Sequence, residues 1–151
     1  MKCQDNEILL NNVLIQLARS FLQYVSECSP WVASNAASEE AQVMVVAARQ
    51  RQDVAEIAAL LDGREHYIDF GSFPTEYTDQ QFLCLKSVMG GLIRSHESVC
   101  NRISLSIVSL RTAGDIGASE LLTTVESHER DILRALNEIE KTLGSNLAAA
   151  V

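Results

Sequence analysis

Three polar side chains interrupt otherwise apolar helical stripes near the middle of the segments that carry them: Gln50 or Gln52, His96 and Glu129. Glu97 adjoins His96, and Glu126 stands three residues before Glu129, with His128 between them. Residues three apart share one face of a helix, so the two glutamates of that stretch point the same way. A pocket of His96, Glu97, Glu126, His128 and Glu129 would be rich in carboxylate and imidazole, a donor set that suits iron or manganese. Four-helix bundles build metal sites at this depth from inward-facing side chains. The same residues have a plainer reading. Glu129 would be neutralised across the core by Arg49 or Arg51 beside Gln52, and His96 would be a satisfied core histidine. The ion-pair core is preferred here, with metal as the alternative.

Other chemistries find less support. Ser95-His96-Glu97 holds the residue types of a nucleophilic triad, but consecutive helical residues do not face one another. The four cysteines (Cys3, Cys28, Cys84, Cys100) show no C-x-x-C spacing. The last three fall among apolar helical residues, where a thiol behaves as a small hydrophobe. No catalytic residue is assigned.

The elements that must position these groups are four amphipathic helices, at about residues 6–29, 39–62, 79–112 and 116–143. The first carries Leu10, Leu14, Leu17, Phe21, Tyr24 or Val25, and Cys28, with Gln16, Ser20, Gln23 and Glu27 on the wet face. Asp5 is its expected cap, Pro30 its stop, and Trp31 and Val32 cover the bundle end. Ser38 is the expected cap of the second helix and Gly63 its stop. Two stripes are open to that helix: Val43, Ala47, Gln50, Val54, Ile57, Leu61, or Val45, Ala48, Gln52, Ala55, Ala59. Thr78-Asp79-Gln80-Gln81 reads as a capping box for the third helix, which runs Phe82, Leu85, Met89, Leu92, His96, Val99, Ile103, Ile107, Leu110. Gly90-Gly91 within it implies close approach by a neighbouring element, and a small apolar ligand beside the glycines is a third use of the core. Gly114 ends this helix, and Asp115 or Ser119 caps the fourth, with Leu122, Val125, Glu129, Ile132, Leu136, Ile139 and Leu143 inward and a frayed tail from Gly144.

The connection 63–78 sets the topology. Helix–helix turns run about 2–8 residues, and this one is longer. At about 3.3 Å per residue it reaches roughly 50 Å, whereas a helix of two dozen residues is about 36 Å long. It can therefore traverse the bundle and start the third helix parallel to the second. That is an all-α, up-down-down-up bundle occupying 1–151 as one domain. Tyr67, Phe70, Phe73 and Tyr77 form a clasp over it.

Over residues 5–143 this order resembles the ferritin-like superfamily. The resemblance rests on the long middle connection and on the approach to the last helix, Ala113-Gly-Asp-Ile-Gly-Ala-Ser-Glu-Leu-Leu and then Val125-Glu-Ser-His-Glu. The connection Asp69-Phe-Gly-Ser-Phe-Pro-Thr-Glu-Tyr-Thr-Asp79 is similar to that of uncharacterised bacterial ferritin-like proteins. The family's di-iron pattern implies one Glu from each of helices 1 and 3 and a Glu-x-x-His from each of helices 2 and 4. Carried over, Glu126 takes the first place on helix 4, Glu129 stands where His belongs, and His128 comes one residue early. Glu97 matches on helix 3, with His96 beside it. Arg49 and Gln52 take the helix 2 places, and helix 1 offers only Leu17 and Phe21. The resemblance thus implies a degenerate di-metal motif. The expected function is an interaction or assembly module without a working di-iron centre; the alternative is an iron- or manganese-dependent oxidoreductase or store.

Composition excludes other classes. Twenty acidic residues against twelve basic ones give a net charge of −8 with no basic cluster, which argues against nucleic acid. The apolar share of 47% and charged share of 21% are those of a soluble globular protein. The amino-terminal Met1-Lys-Cys-Gln-Asp-Asn-Glu7 is too polar for a signal peptide, and no apolar run is long enough to span a bilayer. A cytoplasmic protein without membrane contact is expected. Helix 2 is apolar around most of its surface from Val43 to Ala48, so a homodimer through this face is expected as well.

Overall fold

A computed structural model describes residues 2–28, 30, 32, 34–80 and 83–149. The chain is all helical, with four long rods packed together and no strand among the described residues. The first rod is α1 (Lys2–Ala18) followed by α2 (Phe21–Cys28). Then come α3 (Ala37–Gly63), α4 (Leu85–Thr112) and α5 (Ile116–Ala149), with 3-10 turns at Ser34–Ala36 and Thr75–Gln80. α4 packs most extensively on α5, and α3 lies against both α1 and α5.

The apolar stripes expected along the rods are the ones buried, apart from Cys28, which is exposed. On α3 the stripe Val43, Ala47, Gln50, Val54, Ile57, Leu61 is inside, while Val45, Ala48, Gln52, Ala55 and Ala59 are exposed. These residues sort into two clusters. One joins Phe21–Val25, Val43, Ala47, Leu85–Ile93 and Ile132–Leu143. The other joins Leu10–Leu17, Val54–Leu61, Val99–Leu110 and Ala118–Val125. Between them, on every rod, stands a buried polar residue: Ser20, Gln50, His96 and Glu129. The molecule has two greasy ends and a wet waist.

Several helix ends differ from the sequence expectation. α1 begins before Asp5, which sits in its first turn. The break at Arg19–Ser20 was not foreseen, and past it Ser20 and Gln23 are buried rather than wet, because they bond to polar partners on α3. Ala36 rather than Ser38 precedes α3, without a side-chain cap. Thr78 lies in a 3-10 turn and its hydroxyl donates to Thr75 O, so it does not cap α4, which starts only at Leu85. Gln81, Phe82 and Trp31 lie outside the described residues, whereas Val32 packs against the first cluster. Asp115 does cap α5, accepting from Ala118 N at 3.2 Å. α5 runs on through Gly144 to Ala149 instead of fraying there.

The long connection is docked on the first rod. Asn11 brackets Asp69, donating to its carbonyl at 3.2 Å and accepting from its N–H at 3.0 Å. Arg19 Nε donates to the carbonyls of Phe70 and Gly71, both at 3.1 Å. Phe73 and Tyr77 pack on Phe21 and Tyr24, while Tyr67 and Phe70 stay exposed and take no part in that clasp. Gly91 lies beside the Phe21 ring, yet a Cβ there would meet it at an ordinary 3.7 Å, so close approach does not explain the glycine pair. Gly71 is different: its φ is +67°, and a Cβ would fall 2.7 Å from Ile15 Cγ2. Gly71→Ala should therefore lower stability by about 1–3 kcal/mol. Gly144→Ala, in open helical space, should raise it by up to about 1 kcal/mol. Urea denaturation checks both, and an unchanged midpoint for Gly71→Ala would contradict the docking described.

Candidate functional site

The waist is built around Glu129, which is fully buried on α5. His96 reaches it from α4, its Nε2 lying 3.0 Å from Glu129 O and 3.1 Å from Oε2. Both neighbours are acceptors, so Nε2 carries the proton. Gln50 donates from α3 to the same Oε2 at 3.0 Å. The Gln50 carbonyl in turn accepts from Ser20 Oγ at 2.7 Å and from Gln23 Nε2 at 2.9 Å. Gln23 also donates to Ala47 O, and its own carbonyl accepts from Arg51 at the surface. One chain of hydrogen bonds thus crosses all four rods.

A second arm leads out the other way. Asp53, 2% exposed, lies one turn beyond Gln50, and His128 Nδ1 donates to its Oδ1 at 2.7 Å. Asp53 also meets Glu129, and the two carboxylate oxygens left without a donor in this region are Asp53 Oδ2 and Glu129 Oε1. Touching carboxyls in a buried site share a proton. Burial and the Glu129 contact push the Asp53 carboxyl up to about 7 against the pull of His128, so Asp53 holds that proton. Half-buried His128 opens onto a shallow groove of about 590 Å³ flanked by Arg49, Gln52 and Glu56. Burial alone would lower His96, but its hydrogen bonds to Cys100 and Glu129 raise it to about 9. At neutral pH an imidazolium therefore faces the Glu129 carboxylate.

Of the five residues singled out in the sequence, the structure brings together His96, Glu129 and, through Asp53, His128. Glu97 is on the exposed face of α4. Glu126 belongs to a separate outer group, accepting from Ser104 at 2.6 Å and Arg130 at 2.9 Å. The cation opposite Glu129 is His96, not Arg49 or Arg51, whose side chains are exposed, and the inward glutamine is Gln50, not Gln52. Ser20, Gln23 and Asp53 were missed. The spacing Gln50-x-x-Asp53, one residue along from Arg49-x-x-Gln52, was the available signal: it lies on the apolar stripe.

His96 bonds to one oxygen of Glu129 and His128 to one oxygen of Asp53, while Glu129 Oε1 and Asp53 Oδ2 have no partner among the described residues. Among the described residues no three His, Cys, Asp or Glu side chains are grouped to hold an ion. No protein-family model, curated protein or solved structure matches the chain.

The proton positions set a pH dependence. Between 3.8 and about 7 the folded chain keeps the Asp53 proton that the unfolded chain releases, so stability falls as pH rises through that window. The His96 contribution is complete below 6.5 and is lost as pH rises through about 9. Asp53→Asn should abolish the first decline and leave the second. Denaturation midpoints across this range provide the measurement; a wild-type midpoint flat with pH would refute the assignment.

Proposed function

We propose that this chain is a ferritin-like bundle in up-down-down-up order whose metal site has been replaced by a self-satisfied polar layer, and that it works as a non-catalytic interaction or assembly module. The topology is supported by the clusters: the carboxy-terminal halves of α3 and α4 share one, together with the amino-terminal halves of the first rod and of α5. The functional reading is carried by one observation, the closure of His96 and Gln50 on Glu129 where a bundle metal would sit. Protein purified without chelators should contain far less than one iron or manganese per chain and show no iron-stimulated oxygen uptake. Stoichiometric metal that disappears on Glu129→Ala would overturn this reading.

The metal-binding alternative has a single point in its favour, the paired lone oxygens of Asp53 and Glu129, and the same elemental analysis decides it. The assembly we propose is a homodimer through the outer face of α3. Val45 is 68% exposed there, flanked by the exposed Ala41 and Ala48, an apolar patch without a partner among the described residues. A dimer in sedimentation experiments, dissociated by Val45→Glu, is expected; a monomer at high protein concentration would exclude it. No helix among the described residues is long and apolar enough to cross a membrane.

A further inference from the structure

The docked connection, the first rod and α4 enclose a cleft of about 330 Å³. That is the low end of the range for small-molecule sites. Two arginines line it, Arg19 and Arg102, along with Gln16, Ser72, Tyr77 and Ser98, and no acidic residue is among the lining groups described. In a chain of net charge −8 this is a locally positive hollow.

Neither guanidinium has a carboxylate partner among the described residues. Three arginines elsewhere pair with carboxylates: Arg64 with Glu7 and Asp115, Arg130 with Glu126, and Arg134 with Asp131. Arg19 is also held in place: its Nε donates to two carbonyls of the connection, and its guanidinium lies 5.1 Å over the Phe73 ring. Its terminal nitrogens make no hydrogen bond to the described residues. Arg102 lies close enough to Tyr77 for its charge to act on the phenol, whose acid neighbour Glu76 does not line the cleft. Gln16 Oε1 is buried there without a donor. A planar guanidinium offers paired N–H groups matched to an oxyanion, and holding it fixed in advance reduces the entropy lost on binding.

We infer that this cleft binds a small dianion, a phosphate monoester or inorganic phosphate, gripped between Arg19 and Arg102. The two charges of the ligand match the two unpaired guanidiniums. The hydroxyls of Ser72 and Ser98 add donors. Of the polar layer only Ser20 lines the cleft, and the site calls for no metal.

The test is titration calorimetry on the full chain in a low-salt, anion-poor buffer, with inorganic phosphate, glycerol phosphate and succinate as probes. Saturable one-to-one binding of the two phosphates, and weaker binding of succinate, is expected. Arg102→Gln should weaken it about tenfold or more, the loss of a charged hydrogen-bond donor. Arg134→Gln, which removes an equal charge elsewhere, should leave it unchanged. Because Arg19 also anchors the connection, Arg102→Gln is the deciding variant, and its circular dichroism melt confirms that it is folded. No binding of either phosphate, equal or tighter binding of succinate, or binding indifferent to Arg102→Gln would overturn the assignment.

Discussion

A carboxylate removed from water must find compensating charge and donors, and in this protein Glu129 imposes that demand at the centre of four packed helices. Several kcal/mol of desolvation attend an ion so placed, even after relaxation. His96 supplies the opposing charge and Gln50 a second donor, each from a different rod. Both bonds have narrow distance limits, so the rods cannot slide past one another by even one residue without breaking them. Apolar stripes alone would tolerate such slippage, since Leu and Ile pack acceptably in several registers. The polar waist therefore fixes the axial alignment that the two greasy clusters leave loose.

The ends of the bundle are tied by a different device. Arg64, just past α3, reaches Glu7 on α1 at 2.9 Å and Asp115 at the start of α5 with two bonds of 2.8 and 2.9 Å. The guanidinium holds the Asp115 carboxyl below its ordinary range, so it stays charged while it also caps α5. Being partly exposed, this clamp contributes less than its geometry suggests. Its role is to close one end of three rods around a cluster that already packs. The connection then seals the α1–α4 side, with Asn11 and Arg19 gripping its backbone rather than its side chains.

Much of this was legible in the sequence because a 3.6-residue period carries its own record of burial. The α4 and α5 stripes needed no tertiary information, and Gly114 and Asp115 marked the turn between them. His96 and Glu129 were visible as breaks in those stripes. What could not be read was partnership. Arg51 adjoins the buried Gln50 in the chain and Gln52 lies one residue further, yet a step of about 100° per residue takes each to a different face. The choice between two stripes on α3 was undecidable locally, since both are rich in small apolar residues. The break at Arg19–Ser20 carries neither Gly nor Pro. It follows from contacts to Gln50 and to the connection, both distant in sequence.

The waist also limits how this protein can change. Each of its members satisfies a neighbour on another helix, so replacing one strands its partner, at a cost of about 3–5 kcal/mol for a buried ion pair. Exchanging His96 and Glu129 together for apolar residues would still strand the Gln50 amide, so Gln50 must change with them. Mutational drift at these positions is therefore strongly epistatic: a lineage crosses from a polar to an apolar centre in coordinated steps or not at all.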